Sequence, residues 1–170
     1  MNIRLYHALL LTMEENRSIF EGEVWIKDER IRYVGDGSAQ DVSESCAFLG
    51  CSVKEDILWD EEIDCQGNLL MPGFKNAHTH SGMTLLRSYA DDLPLHDWLN
   101  EQVFPIEAKL SEEDVYHLTK LAVLEYLTSG ITSIFDMSLT PESIGRACAE
   151  MGMRCVQTGG VNNFSQSAEL

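Results

Sequence analysis

Met71-Pro72-Gly73-Phe74-Lys75-Asn76-Ala77-His78-Thr79-His80 is an apolar run broken by a Pro-Gly step and closed by two histidines one residue apart. In a β-strand, residues i and i+2 lie on the same face, so His78 and His80 point one way and Thr79 the other. Two imidazoles on one face at a strand's end make half of a tetrahedral or five-coordinate metal site. The other half is not found elsewhere in the sequence. Against the alternative of two exposed loop histidines stands their placement: they follow a strand that opens an apparent βα series, where βα folds carry their sites.

Downstream, the pattern is regular. Residues 69–74 read as a first buried strand, followed by a long polar-apolar connection through Pro94 and Pro105. Ser111-Glu112-Glu113-Asp114 predicts a helix start, with Ser111 as N-cap and acidic residues where the helix dipole favours them. Val115, Leu118, Leu121 and Ala122 keep helical spacing, and Gly130 supplies a left-handed stop. Residues 131–136 predict a second strand. Thr140-Pro141-Glu142 predicts a second helix, with a cap followed by proline in the first turn, ending at Gly152. Residues 153–158 predict a third strand, and another helix is expected to begin after residues 162–165. The order β–α–β–α–β implies parallel strands with right-handed crossovers.

Upstream, residues 1–67 read as β-rich. Residues 3–12 form a strand candidate. Residues 22–27 and 30–35 alternate around Asp28-Glu29 and predict a hairpin, although Asp-Glu is not a favoured tight-turn pair. Residues 36–60 read as a long polar loop, and residues 61–65 as one more strand closed by Gln66-Gly67.

Composition narrows the classes. The chain has 170 residues, 44% hydrophobic and 24% charged, enough apolar material for a core. No apolar stretch approaches the roughly 20 residues of a membrane helix. The short run over residues 8–11 lacks a cleavage-like site, so no secretory signal is expected. Five cysteines without a CxxC pair read as reduced thiols in a cytoplasmic protein; Cys46 and Cys51 have no companions to complete a metal site. The net charge of −16 and the absence of clustered Lys and Arg argue against nucleic acid and anionic membranes as partners.

Asp64-Cys65-Gln66-Gly67 and the stretch ending in His78-Thr79-His80 together resemble the entry signature of the amidohydrolase superfamily. The continuation from Met83 through Leu95, with Trp98-Leu99, Pro105-Ile106-Glu107, Ser129-Gly130-Ile131-Thr132 and Phe135-Asp136-Met137, resembles one branch of it. That branch holds the 5′-methylthioadenosine/S-adenosylhomocysteine deaminases and the triazine chlorohydrolases. The resemblance is weak over residues 1–60 and dense over 61–155, and it is specific to the branch rather than to a substrate.

The resemblance implies an α/β fold: the N-terminal part of a (β/α)8 TIM-type barrel, about three βα units in residues 68–170, preceded by a β-sandwich segment in residues 1–67. It implies a metal-dependent hydrolase of C–N bonds other than peptide bonds, deaminating an amino-substituted N-heterocycle or nucleoside. His78 and His80 would be the first-strand ligands of one divalent metal ion, zinc first, with iron, manganese or nickel as alternatives. Trp98 and Glu107 would line the substrate pocket, Glu107 gripping a sugar hydroxyl; a core aromatic and a solvated helix-edge carboxylate are their alternatives. The catalytic residues that relatives bring on later strands have no counterpart here. Residues 68–170 fall well short of the roughly 250 that a complete barrel takes, so the chain is expected to be a portion of a longer protein and inactive alone. A homo-oligomer of the complete protein is compatible with this reading.

Three further readings stay open: a cyclic-amide hydrolase, a dechlorinase on the same scaffold, and a non-catalytic fragment or subunit. Adenosine-nucleoside members of the branch often carry an arginine just after the third strand, where this chain has Gly159-Gly160, which argues against an S-adenosylhomocysteine-type substrate. His7, His96 and His117 read as structural or solvated in a strand, a polar loop and a helix. Asp136 reads as a strand-end site residue or as a helix cap before Thr140, and Glu125 as a buried carboxylate of open role.

Overall fold

The structure is a computed structural model that describes residues 1–38 and 42–159. Gly160 and the helix expected after residues 162–165 lie outside the described residues. The chain divides into two compact units, Met1–Pro72 and Gly73–Leu170.

In the first unit β1 (Asn2–Leu10) pairs antiparallel with β2 (Phe20–Lys27), and β2 pairs antiparallel with β3 (Arg30–Gly35). The expected hairpin forms, with Asp28 taking the positive φ of its turn. Residues 36–60 are not a long loop: α1 (Ser43–Leu49) and a short 3-10 turn, Lys54–Asp56, occupy part of them. Their apolar residues Val42, Cys46 and Ile57 bury with Trp25 and Tyr33 in one cluster. Short amphipathic segments of this kind carry too few turns for their periodicity to show in sequence.

β4 (Glu61–Asp64) and β5 (Leu69–Leu70) run parallel to β1, with Leu69 opposite Leu9 and Leu70 opposite Leu10. The apolar run over residues 69–74 is therefore two strands rather than one. Its first two residues complete the first sheet. Pro72 has no N–H to give a ladder, and the chain re-enters a strand only at Phe74.

In the second unit β6 (Phe74–Thr79), β7 (Ile131–Ser138) and β8 (Arg154–Gly159) form a parallel sheet in that order. Gly73 precedes β6 because a Cβ there would stand 2.3 Å from the Thr132 side chain of β7. The connection between β6 and the helix that starts at Ser111, expected only as a long polar-apolar run with His96 in a polar loop, is largely helical. It holds a 3-10 segment, Ser81–Leu86, and a helical segment over residues 95–107 whose middle, Trp98–Val103, is π-helical. His96 thus lies in a helical turn, its ring beside the Asn100 amide.

α2 (Glu112–Thr128) starts as expected. Ser111 Oγ accepts from the Asp114 N–H while the Asp114 carboxylate accepts from the Ser111 N–H, a reciprocal capping box. It stops at Gly130, whose φ of +78° is the left-handed conformation that glycine adopts without strain. α3 (Pro141–Glu150) begins with the expected proline, but the Thr140 side chain does not cap it; the Thr140 N–H instead donates to Ser138 Oγ. Val115 and Val123 of α2 and Ile144 and Cys148 of α3 bury with Ile134 of β7 and with Met153. Alternation along β7 puts Phe135 and Met137 on the opposite, exposed face.

Candidate metal centre and adjoining cavity

His78 is the penultimate residue of β6, and His80 follows the strand directly. β6 carries an extra residue between Asn76 and Thr79 relative to β7, where Asn76 stands opposite Ile134 and Thr79 opposite Asp136. Such a bulge re-aims side chains and frees backbone groups from the ladder. Here the freed His78 N–H donates to Asn76 Oδ1 at 3.2 Å.

The two imidazole rings lie edge to face, centroids 4.9 Å apart, with their Nε2 atoms 3.1 Å from each other. His80 Nδ1 is 3.0 Å from the Met137 carbonyl oxygen. A carbonyl can only accept, so Nδ1 carries the proton and Nε2 holds the free lone pair. That is the tautomer a metal-bound histidine takes, its other nitrogen fixed by a carbonyl. Two nitrogens sharing one tetrahedral zinc at about 2.0–2.1 Å stand about 3.3 Å apart, so the pair fits a metal ion. Among the described residues no group of three or more His, Cys, Asp or Glu side chains is arranged to hold one. These residues supply two imidazoles and no more.

Beside His80 lies a cavity of about 350 Å³, lined among others by Trp98, Leu99, Phe104, Glu107 and Met137. A smaller one of about 160 Å³ shares His80 and Glu107 with it. The walls are mostly apolar side chains, with Glu107 as the charged exception. Burial pushes the Glu107 carboxyl above its ordinary range, against the pull of His80. Trp98 is half-buried, its Nε1 donating to the Tyr89 carbonyl at 3.3 Å. The structure thus brings His80, Trp98 and Glu107 to one cavity and keeps His78 beside His80. A larger cleft of about 620 Å³ is lined by the first unit alone; Arg4 and Lys54 in its wall are both paired with Glu23, and Glu21 and Asp36 also line it.

The remaining candidates resolve differently. Asp136 caps no helix; it is 1% exposed and accepts from Thr79 and Ser81. Glu125 is not a buried carboxylate: its side chain is 36% exposed and forms a two-pronged ion pair with Arg87. His7 and His117 are exposed and face Asp64 and Glu113. All five cysteines are free, and the Cys51 thiol points to the Cys46 carbonyl. The sequence reading missed the polar cluster of Thr79, Ser81, Tyr126 and Asp136. Its one sequence signal is that Thr79 and Ser81 alternate with the histidines and so belong to the opposite face.

A parallel sheet with helical connections and two imidazoles at a strand's C-terminal end define an α/β protein whose polar chemistry gathers at one end of that sheet. The chain belongs to the amidohydrolase family, which residues 69–169 match. It is similar to a 5-methylthioadenosine/S-adenosylhomocysteine deaminase from Thermoanaerobacter pseudethanolicus, 37% identical over 162 residues that cover 95% of this chain and 34% of that protein. The corresponding deaminase from Desulforamulus reducens is 40% identical over 163 residues, covering 95% of this chain and 35% of that protein. This chain therefore spans about a third of the length of these relatives. Among solved structures it is similar to an adenosine deaminase from Xanthomonas campestris with bound zinc, with a TM-score of 0.72 and 27% identity over 91% of this chain and 33% of that one. A triazine hydrolase from Arthrobacter aurescens shares the fold, with a TM-score of 0.71 at 18% identity over 93% of this chain and 35% of that one. No helix among the described residues is long and apolar enough to cross a membrane.

Proposed function

We propose that this chain is the metal-binding N-terminal part of a (β/α)8-barrel aminohydrolase that deaminates an amino-substituted N-heterocycle or its nucleoside. The observation that carries this reading is the His78–His80 pair, with Nε2 atoms 3.1 Å apart and His80 Nδ1 committed to the Met137 carbonyl. The family membership supports it, as do relatives named as deaminases and a similar adenosine deaminase that holds zinc.

His78 and His80 would hold a divalent ion, zinc first. When bound, such an ion makes hydroxide available at neutral pH for attack on an electron-poor ring carbon. The chain's own residues bind and orient. Trp98 offers a flat apolar surface to the heterocycle. Glu107, in the same cavity, would accept from a sugar hydroxyl of the substrate. The exposed Phe135 and Met137 on the face opposite the helices are residues that further βα units would cover, which supports the barrel reading.

The test is metal analysis of the complete protein with a screen for ammonia release from adenosine, 5′-methylthioadenosine, S-adenosylhomocysteine and guanine. About one divalent ion per chain and turnover on at least one of these are expected. The isolated 170-residue chain should show no turnover. His78→Ala and His80→Ala should each lose the ion, and stoichiometric zinc retained by either variant would overturn the ligand assignment. Chloride release from a chlorotriazine without any deamination would move the activity to dechlorination.

A further inference from the structure

We propose that Asp136 is a positioning residue for His80, clamping the chain on both sides of that ligand from behind the sheet. The inference rests on the reading of His80 as a metal ligand. Asp136 lies on β7 with 1% of its surface exposed, on the face it shares with the core residue Ile134. Its Oδ2 accepts from Thr79 Oγ1 at 2.6 Å, from the Ser81 N–H at 2.9 Å and from Ser81 Oγ. Thr79 and Ser81 are the two chain neighbours of His80. The next residue of β7, Met137, accepts from His80 Nδ1 at 3.0 Å. Two consecutive residues of β7 thus bear on the position of His80, one through the residues that flank it and one through its ring.

The proton directions follow from the chemistry. A carboxylate only accepts, so Thr79, the Ser81 amide and the Ser81 hydroxyl all donate to it. Ser81 Oγ has then used its only proton, and the Tyr126 hydroxyl of α2, 3.1 Å away, donates to Ser81. The clamp therefore runs from α2 through Ser81 to β7. Charge-assisted bonds of this kind are shorter and stronger than neutral ones. The other oxygen, Oδ1, is buried with no hydrogen-bond partner among the described residues. Leaving a buried carboxylate oxygen unpaired is costly. Three donors converge on Oδ2, from Thr79 Oγ1, the Ser81 N–H and Ser81 Oγ, and an ionised carboxylate accepts them more strongly than a neutral amide oxygen would.

Asp136→Asn keeps the shape but removes the charge, and it can place its amide nitrogen at the position of Oδ1, which no described group hydrogen-bonds. In the complete protein, zinc affinity measured by chelator competition should fall about ten- to a hundredfold, the range typical of outer partners of metal ligands. Ser81→Ala removes one donor and should give a smaller loss in the same direction. Combining the two changes should cost less than the product of the single effects. Ile144→Val, a core change in the same unit, should lower the melting temperature while leaving zinc affinity within twofold. The inference is overturned if Asp136→Asn lowers the melting temperature like Ile144→Val and binds zinc as wild type does. Should Asp136→Asn fail to fold, Ser81→Ala with unchanged zinc affinity overturns it equally. Failure of the underlying metal reading is distinguishable, because then His80→Ala also leaves zinc binding unchanged.

Discussion

His80 Nδ1 and the Met137 carbonyl oxygen stand 3.0 Å apart across the parallel β6–β7 pair, although 57 residues separate them in sequence. A ring nitrogen facing a carbonyl must be its protonated nitrogen, so this one contact sets the tautomer of a candidate metal ligand before any metal arrives. The metal-free protein should accordingly show neutral His80 as the Nδ1–H form in nitrogen-edited NMR spectra. A dominant Nε2–H form would remove the contact from the account of the site.

In the first unit Glu23 is buried between Arg4 and Lys54. Burial pushes its carboxyl up, but hydrogen bonds from Lys54 and Arg4 outweigh burial and hold it below its ordinary range. A carboxylate depressed in the folded state stabilises the fold above its unfolded value, and that contribution is lost as pH falls through the folded value. Glu23→Gln should therefore destabilise this unit at pH 7, by about 1–3 kcal/mol. The gap to wild type should shrink as the solution is taken below the normal carboxylate range. Urea melts followed by tryptophan fluorescence would read it, since Trp25 packs beside Lys54. A gap independent of pH would contradict the assignment.

The capping box at Ser111 is exposed and local, so its loss should act on α2 without touching the site. Ser111→Ala should cost about 1 kcal/mol in thermal or chemical denaturation. Asp114→Ala on top of it should add less than it costs alone, because the two side chains satisfy each other's backbone N–H. Full additivity would mean that the box is not formed in solution.

Cys148 lies in the core with its thiol pushed up to about 12 by burial, helped by the neighbouring Cys155. The thiolate is the reactive form. At pH 8 in the native protein, Cys148 should be alkylated about a thousandfold more slowly than an ordinary exposed thiol. Pulse labelling read by mass spectrometry would test this, with the half-exposed Cys51 as the internal comparison. Equal labelling of the two would show that α3 opens readily.

What the sequence alone determined is local. The His78-Thr79-His80 spacing, the Ser111 cap, the Gly130 stop and the β–α–β–α–β order each depend on residues within a turn or a strand of one another. Periodicity and φ/ψ preference act at that range. The tertiary structure decided what depends on partners far away in the chain. It gave Leu69 and Leu70 to β1, placed a bulge between Asn76 and Thr79, and paired the part-buried Glu125 with Arg87. It also turned Asp136 into a clamp on Thr79 and Ser81, residues 55–57 positions earlier. A carboxylate's role is set by which donors surround it after packing, and no local pattern around Asp136 names them. Strand alternation put the two imidazoles on one face, and only the packed sheet decided which nitrogen of His80 carries the proton.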